Sequence, residues 1–363
     1  MCSSDLLDIA GPGRYVRSLE AALLPVLGDR LVSVCSRFAA PAPPASTRTI
    51  GAMARTLGRD VWWHQGGVER AARRARADLL HLPAGLGPVR GRLPTVVTIH
   101  DLSVLHAPRD FRPWFRNYAR VVIPRLARRA ARVITVSETT RQDVIEHLGL
   151  PEEKVVAVPN GVALSHPPSV TRDGQPTSGP YQLPRRYVLS VGTLQPRKNL
   201  LRLFEAIRML AARPATRDVV LVHAGGYGWL ADDIVRAAQA PALRDRVRLL
   251  GYVPQEHLAC LYLQARLLAY PSLFEGFGLP VLEAMASGCP VVTSNRSSLP
   301  EVAGDAAVLV DPESVEAIAE GIGRVWGDDA LAAELRVRGL ARAPQFSWER
   351  TARLTADVYE SVL

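Results

Sequence analysis

The sequence predicts an α/β protein built from two doubly wound, Rossmann-like domains with a central crevice and a C-terminal helix. Three observations predict it. At 363 residues the chain is longer than one hydrophobic core usually organises. Short apolar runs ending in Gly, Pro or polar residues alternate with amphipathic helical runs, as in strand–helix–strand units of a parallel sheet. One stretch, ALSHPPSVTRDGQPTSGPYQLPRR, breaks the alternation and reads as a linker by its Pro, Gly, Ser and Thr content. The expected organisation is 1–165 for the first domain, 166–185 for the linker and 186–345 for the second domain. Residues 346–363 would form a helix that packs back towards the first domain.

The chain opens on MCSSDLLDIAGPGRYVRSLEAALLPVL. A doubly wound domain usually begins with a buried strand. Here a Gly-rich turn at Gly11 and Gly13 arrives with none before it, and leads into a helix with Val16, Leu19, Leu23 and Leu24 on one face. The expectation is that the first strand is missing, with CSSDL being translated adapter sequence joined to a truncated gene. An apolar strand ahead of Asp8 in the full-length gene would bear that out; a native MCSSDLL would refute it.

RLVSVCS, TVVTIHD, ARVITVS and EKVVAVPNGV then read as strands. Between the second and third of these, the segment from Arg109 to Arg141 holds nine arginines among Trp114, Phe115 and Tyr118. The second half is more regular. YVLSVG, VVLVHAGG, RVRLLGYV, ARLLAYPS and CPVVTSN read as strands. NLLRLFEAIRML is helical, with Leu200, Leu203, Phe204, Ile207 and Leu210 in phase. FSWERTARLTADVYESVL is one amphipathic helix.

Composition narrows the function classes. Hydrophobic residues at 48% and charged residues at 22% fit a soluble globular protein. No run reaches the roughly 18 apolar residues of a membrane span, and no secretory signal stands out. Cys2, Cys35, Cys260 and Cys289 have neither metal-ligand nor disulfide-framework spacing. A cytoplasmic protein, at most attached to the inner face of the membrane, is expected. The net charge of +9 is almost all arginine, the only lysines being Lys154 and Lys198. Compositional bias accounts for that, or else an acidic partner does. The stretch Arg109 to Arg132 is either a solvated helix face or a peripheral contact with anionic membrane.

The segment SLFEGFGLPVLEAMASGCPVVTSN carries Glu275 and Glu283 around a Gly-Phe-Gly loop and a helix start. Carboxylates accept hydrogen bonds and do not donate them, so the pair suits hydroxyl groups, as on a sugar or ribose, rather than phosphate. Gly276 and Gly278 permit close approach of a ligand. The alternative is that Glu283 complements the helix dipole and Glu275 is a solvated loop residue. A ligand with both hydroxyls and phosphate needs cations. SVGTLQPRKNLLRLFEAI supplies Arg197 and Lys198 just before a helix, with Asn199 as the expected N-cap. Solvated charges are the alternative there. TIHDLSVLH sets His100 and Asp101 at the C-terminal end of a strand, where parallel sheets bind ligands, or where a turn simply accommodates them. No resident metal or cofactor is expected: no Asp-x-Asp pair and no zinc spacing are present. No G-x-S-x-G elbow supports an acyl hydrolase, and no recognised module supports nucleic-acid binding.

Taken together, GPGRYV, TIHDLSVLHAP, ARVITVSETTR, VPNGV, VGTLQPRKNL, the long segment from LGYVPQ to VVTSN, and SLPEVAGDAAVLVDP resemble glycosyltransferase family 4. The resemblance implies the GT-B fold, a retaining mechanism and a nucleotide-sugar donor, with a bacterial mannosyltransferase-like pattern. Where the family usually has Gly-Ile-Gly, this chain has Gly11, Pro12 and Gly13. The resemblance implies that Arg197 and Lys198 neutralise the donor diphosphate, that Glu283 grips the ribose hydroxyls, and that Glu275 holds the donor sugar. His100 would approach that sugar. Gly276, Phe277, Gly278 and Leu279 would offer backbone amides, and Gly251, Tyr252 and Val253 would border the base. Gly11, Gly13, Asp101, Asn160, Gly192 and Thr193 complete the implied donor set. The implied acceptor is a glycan or lipid-linked glycan in surface polysaccharide synthesis. A non-catalytic or truncated nucleotide-sugar-binding protein, or a GT-B epimerase, is the alternative.

Overall fold

The computed structural model describes residues 10–34, 62–111, 113–162 and 180–363. The chain forms two compact units. The first comprises Met1–Leu102, Trp114–Asn160 and Trp348–Leu363, and the second Ser103–Pro113 and Gly161–Ser347. The C-terminal helix therefore belongs to the first unit, and the short segment after Leu102 to the second.

The first unit opens with α1 (Ala10–Leu27). Gly11 and Gly13 lie inside the first turn of that helix rather than in a turn before it. Tyr15, Val16, Leu19 and Leu23 are its buried residues, while Leu24 is half exposed. Val16, Leu19 and Leu23 are thus buried as predicted, while Tyr15 takes the place expected of Leu24. Of the expected strand RLVSVCS, Arg30 ends a short 3-10 turn and 31–34 join no strand. Cys35 and Ser36 fall outside the described residues, as do Met1 to Ile9 and most of the expected linker. α2 (Val68–Arg74) precedes β1 (Leu80–Leu82), which was not expected because its apolar run is only three residues long. β2 (Thr95–Ile99) follows. α3 (Ser103–His106) is in the second unit, and α4 (Pro113–Arg129) returns to the first. β3 (Arg132–Thr135), α5 (Glu138–Leu148) and β4 (Val155–Ala157) complete the sheet, which is parallel in the order β1-β2-β3-β4. Ser137 caps α5, its hydroxyl accepting from the Thr140 amide.

The second unit is a six-stranded parallel sheet. Its elements run β5 (Val188–Val191), α6 (Leu200–Ala211), β6 (Leu221–Ala224), α7 (Asp232–Ala238), β7 (Val247–Leu249), α8 (Gln255–Gln264) and β8 (Leu267–Tyr270). They continue as α9 (Leu279–Ala286), β9 (Val291–Ser294), α10 (Leu299–Ala303), β10 (Ala307–Val310), α11 (Val315–Gly327) and α12 (Asp329–Arg342). The strand order is β10-β9-β8-β5-β6-β7. From β5 the chain winds outwards through β6 and β7, then returns to β5's other side for β8. That reversal between β5 and β8 is the topological switch point of a doubly wound sheet. All five predicted apolar positions of α6 are buried and pack with Trp326 and Ile322 of α11 in one core cluster. β10 was not anticipated as a strand; it is the edge of the sheet, and Leu309 on it is exposed.

The C-terminal helix, α13 (Trp348–Glu360), packs on α1, with Trp348 against the Tyr15 ring at 6.0 Å between centroids. Tyr359 Oη meets His81 Nδ1 at 2.6 Å, and His81 Nε2 meets Thr98 Oγ1 at 2.8 Å. The helix is thereby fixed to β1 and β2. Burial lowers His81 to about 3, so it holds these bonds as a neutral ring.

Candidate active site

The switch point in the second unit brings together residues that follow β5 and β8. After β5, Gly192 has φ +138, a conformation that favours glycine. The Lys198 side chain lies against it: a Cβ built on Gly192 would come within 3.2 Å of Lys198 Cε. The chain then makes a 3-10 turn at Pro196–Lys198 before α6. After β8, the loop carries Glu275 back towards this turn, and the Leu273 amide donates to the Arg197 carbonyl.

Glu275 is the centre of the cluster. Lys198 Nζ donates to its Oε1 at 2.5 Å and Arg197 Nη1 to its Oε2 at 2.9 Å. Tyr270 Oη donates to Oε1 at 2.9 Å. The carboxylate is only 7% exposed. Burial would raise its pKa, but the Arg197 and Lys198 charges outweigh that and hold it down to about 2. Tyr270, buried beside this carboxylate, is pushed well above its usual value, so it stays a hydroxyl donor. Glu275 is therefore neither solvated nor free: it is the anion that the two cations hold. Arg197 Nη1 also donates to the Phe274 carbonyl.

Two serines fix the loop. Ser298 Oγ donates to the carbonyls of Glu275 and Phe277, and Ser297 Oγ to that of Glu275. Gly278 has φ +107, and a Cβ there would stand 2.7 Å from Leu299 Cδ2. Both facts demand glycine immediately before α9. Pro280 takes the second position of that helix and Glu283 the fifth. Glu283 is 6% exposed, and its Oε2 accepts from Tyr262 Oη at 2.9 Å. The structure thus holds Glu283 by a side chain, and a dipole contact at the helix start does not describe it.

Asn199 occupies the N-cap position of α6 but caps nothing with its side chain. Its φ is +60, and its Nδ2 donates to the carbonyls of Pro271 and Pro312 instead. It ties the switch-point loops together. Beyond β6, His223 Nε2 donates to the Gly192 carbonyl at 2.8 Å. The Gly225 amide donates to the Gly251 carbonyl at 2.8 Å, which sets the turn after β7 beside the one after β6. In that turn Tyr252 is 77% exposed and Val253 is buried. Thr193 is half-buried, while Gly276 and Phe277 are buried and Leu279 half-buried.

The remaining predicted residues lie in the first unit. His100 follows β2; its Nε2 donates to the Pro83 carbonyl at 2.8 Å and its ring meets Tyr15 edge-on at 4.7 Å. A carbonyl only accepts, so Nδ1 of His100 is the lone-pair nitrogen. Burial lowers its pKa, which keeps the ring neutral at neutral pH. Asp101 is half-buried beside it in sequence. Asn160 is buried, and its Oδ1 has no hydrogen-bond partner in the structure. The arginine-rich stretch is not one solvated face. Arg120, Arg125 and Arg128 are exposed along α4 with Val121, whereas Arg129 turns in to the carbonyls of Pro88 and Leu93. Arg112 and the Trp114 side chain lie outside what is described. Tyr270, Tyr262, Ser297, Ser298 and His223 were not anticipated as site residues; Tyr270 alone carried a signal, as a polar residue closing an apolar strand.

Residues 9–166 match the family described as Glycosyltransferase Family 4, and residues 176–341 the one described as Glycosyl transferases group 1. The O-antigen chain mannosyltransferase B of Escherichia coli is 37% identical over 267 residues, 73% of this chain and 70% of that protein. The chain is a family 4 glycosyltransferase. The serotype-specific mannosyltransferase WbdA of Escherichia coli is 31% identical over 284 residues; these make up 74% of this chain but only 34% of that longer protein. Among solved structures, HepE of Anabaena, determined in complex with UDP and glucose, superposes with a TM-score of 0.71 at 20% identity over 97% of both chains. The family 4 fold is GT-B, and the two parallel-sheet units are its Rossmann-like domains. No described helix is long and apolar enough to cross a membrane.

Proposed function

We propose that this glycosyltransferase is a retaining hexosyltransferase that moves mannose from GDP-mannose to a glycan or lipid-linked acceptor during surface polysaccharide synthesis. The single observation that carries the reading is the buried Arg197–Glu275–Lys198 cluster at the switch point between β5 and β8. Two cations held around one buried anion form a ready cradle for a diphosphate. In this reading the donor diphosphate takes over the contacts of Arg197 and Lys198, and Glu275 is released towards the sugar hydroxyls. The anomeric carbon–oxygen bond breaks, its electron pair goes to the diphosphate, and the two cations stabilise that charge. The acceptor hydroxyl attacks from the same face, and its proton passes to the departing phosphate oxygen. Glu283, held by Tyr262, accepts from the ribose hydroxyls. In the first unit, the unprotonated Nδ1 of His100 and the open Oδ1 of Asn160 can each accept from a hydroxyl.

The Escherichia coli relatives, an O-antigen chain and a serotype-specific mannosyltransferase, support mannose and polysaccharide assembly, and HepE's bound UDP and glucose support a nucleotide-sugar donor. Arg197 and Lys198 supply the charge, so no essential metal is part of the proposal. The exposed Arg120, Arg125 and Arg128 stripe would meet anionic lipid at the cytoplasmic face. A thermal-shift screen with GDP, UDP, dTDP, ADP and their sugars tests the donor. Stabilisation by guanine nucleotides alone, lost in Lys198→Ala and Glu283→Ala, is expected. A larger shift with UDP-sugars overturns GDP-mannose, and no shift with any nucleotide in a folded protein overturns the donor site.

A further inference from the structure

At the opposite end of the first unit's sheet from His100, a cavity of about 720 Å³ opens among the residues that lead into β1, β2 and β3. It is lined by Glu69 and Arg73 of α2, Arg90, Gly91 and Arg92 of the loop before β2, and Arg129 at the end of α4. The charge balance is one-sided, with four guanidinium groups and one carboxylate.

That carboxylate is already engaged. Glu69 is buried, and its Oε1 accepts from the amides of Arg92 and Leu93 at 2.6 and 3.4 Å. It shapes the loop. Among the described residues, Arg129 donates to the carbonyls of Pro88 and Leu93 and to the hydroxyl of Thr95. It is held in place beside the Glu69 carboxylate, so the uncompensated charge of the cavity comes from Arg73, Arg90 and Arg92. The side chains of Arg73, Arg90 and Arg92 are exposed and have no ion pair or hydrogen bond among the described residues. Gly91 lets the loop close down on the pair beneath it, since a Cβ there would fall 2.2 Å from Glu69 Oε2 and 2.6 Å from Arg129 Nη2. One fixed arginine and three exposed ones line the same open concavity. Like charges gathered this way repel one another, and an anion between them relieves the repulsion. Guanidinium groups match phosphate oxygens in geometry and bind them by paired, charge-assisted hydrogen bonds.

We propose that this cavity is a second anion site, which binds the phosphate group of a phosphate ester or diphosphate remote from the donor site. The ligand chemistry is shared by soluble phosphate compounds and by phospholipid headgroups. The site lies at the N-terminal strand ends, whereas the donor reading concerns C-terminal strand ends, so neither depends on the other.

The test is calorimetric titration of the full chain with inorganic pyrophosphate, and flotation with phosphatidylglycerol or phosphatidylcholine vesicles. The variants are Arg73→Ala/Arg90→Ala/Arg92→Ala and a control that removes the same charge from the second unit, Arg213→Ala/Arg217→Ala/Arg244→Ala. GDP is titrated beside them to report on the donor site. The cavity variant is expected to bind pyrophosphate at its second site at least about tenfold more weakly, with GDP binding and the control unchanged. Loss of phosphatidylglycerol binding in the cavity variant, with no second pyrophosphate site in the parent, assigns the same site to a lipid headgroup. Equal losses in both triple variants, or no loss in the cavity variant in either arm, overturn the proposal.

Discussion

Replacing Glu275 by glutamine keeps the side chain's size and removes its charge. The structure gives the consequence a magnitude. Burial works to raise the Glu275 carboxyl, yet the Arg197 and Lys198 charges hold it at about 2 instead of the ordinary 4.5. That difference is worth about 3 kcal/mol in favour of the folded state at neutral pH. The sign follows from the depressed value: the contribution is complete above pH 4.5 and is lost as the pH falls towards 2. By pH 3 about half of it is lost. Glu275→Gln is thus expected to lower the urea midpoint by about 1 M at pH 7, for a slope of about 3 kcal/mol per M, and by about half that at pH 3. The variant also exposes the two cations to ligand. Free GDP, which carries no sugar for Glu275 to hold, should stabilise the variant more than it stabilises the parent. A midpoint difference that does not change between pH 7 and pH 3 would refute the electrostatic account. Weaker GDP binding by the variant would refute the idea that Glu275 stands in for the diphosphate.

Three further outcomes are expected. Gly278→Ala forces an L side chain into φ +107 and against Leu299, so it should cost about 1–3 kcal/mol in a urea titration, and parent-like stability counts against the loop geometry. Tyr262→Phe strips the hydroxyl from buried Glu283, so the donor KM should rise several-fold with kcat near the parent's; an equal fall in kcat alone would place Glu283 in the chemistry rather than in binding. Burial lowers His223 from 6.5 to about 4, so the unfolded chain takes up its proton first and the parent loses about 2 kcal/mol between pH 7 and pH 5. His223→Gln should flatten that interval in urea titrations at the two pH values, and an unchanged pH slope would show that His223 is not its source.

The second unit was legible in the sequence because its elements obey one period each. The α6 pattern from Leu200 to Leu210 lands wholly in the core, and the five apolar runs predicted as strands pair as a parallel sheet. β1 and β10 escaped notice for local reasons: one is only three residues long, and the other is an edge strand with an exposed leucine. In the first helix, Pro12 and two glycines read as a turn, yet the chain is helical from Ala10. There, packing of the helix on α13, with Tyr15 against Trp348, overrides the local preference. The site was legible as residue types and not as contacts. Charge and spacing marked Arg197, Lys198 and Glu275, but nothing in the spacing says that the loop after β8 folds back onto the turn after β5. That contact depends on strand order, a property of the whole sheet. Tyr262 is invisible because its contact with Glu283 joins side chains 21 residues apart on the successive helices α8 and α9, a pairing set by how those helices pack.

The switch point and the internal ion pair explain each other. At the reversal between β5 and β8 two adjacent strands send their following loops apart, which leaves a notch that neither loop fills. A donor diphosphate bound there, as proposed, would need cations in that notch, and Lys198 there is only 10% exposed. Buried cations without a partner are costly, so an empty site would be destabilised between turnovers. Glu275 removes that penalty by supplying an anion from the protein itself, and Tyr270 and the Ser297–Ser298 pair hold it in place. Under the proposed function, the same carboxylate competes with the leaving nucleotide for Arg197 and Lys198. Tight diphosphate binding stabilises the charge that develops as the sugar departs, while the returning Glu275 helps to displace the product. On this argument the carboxylate contributes to the stability of the empty enzyme and to product release, and replacing it should slow turnover at the release step even where nucleotide binding improves.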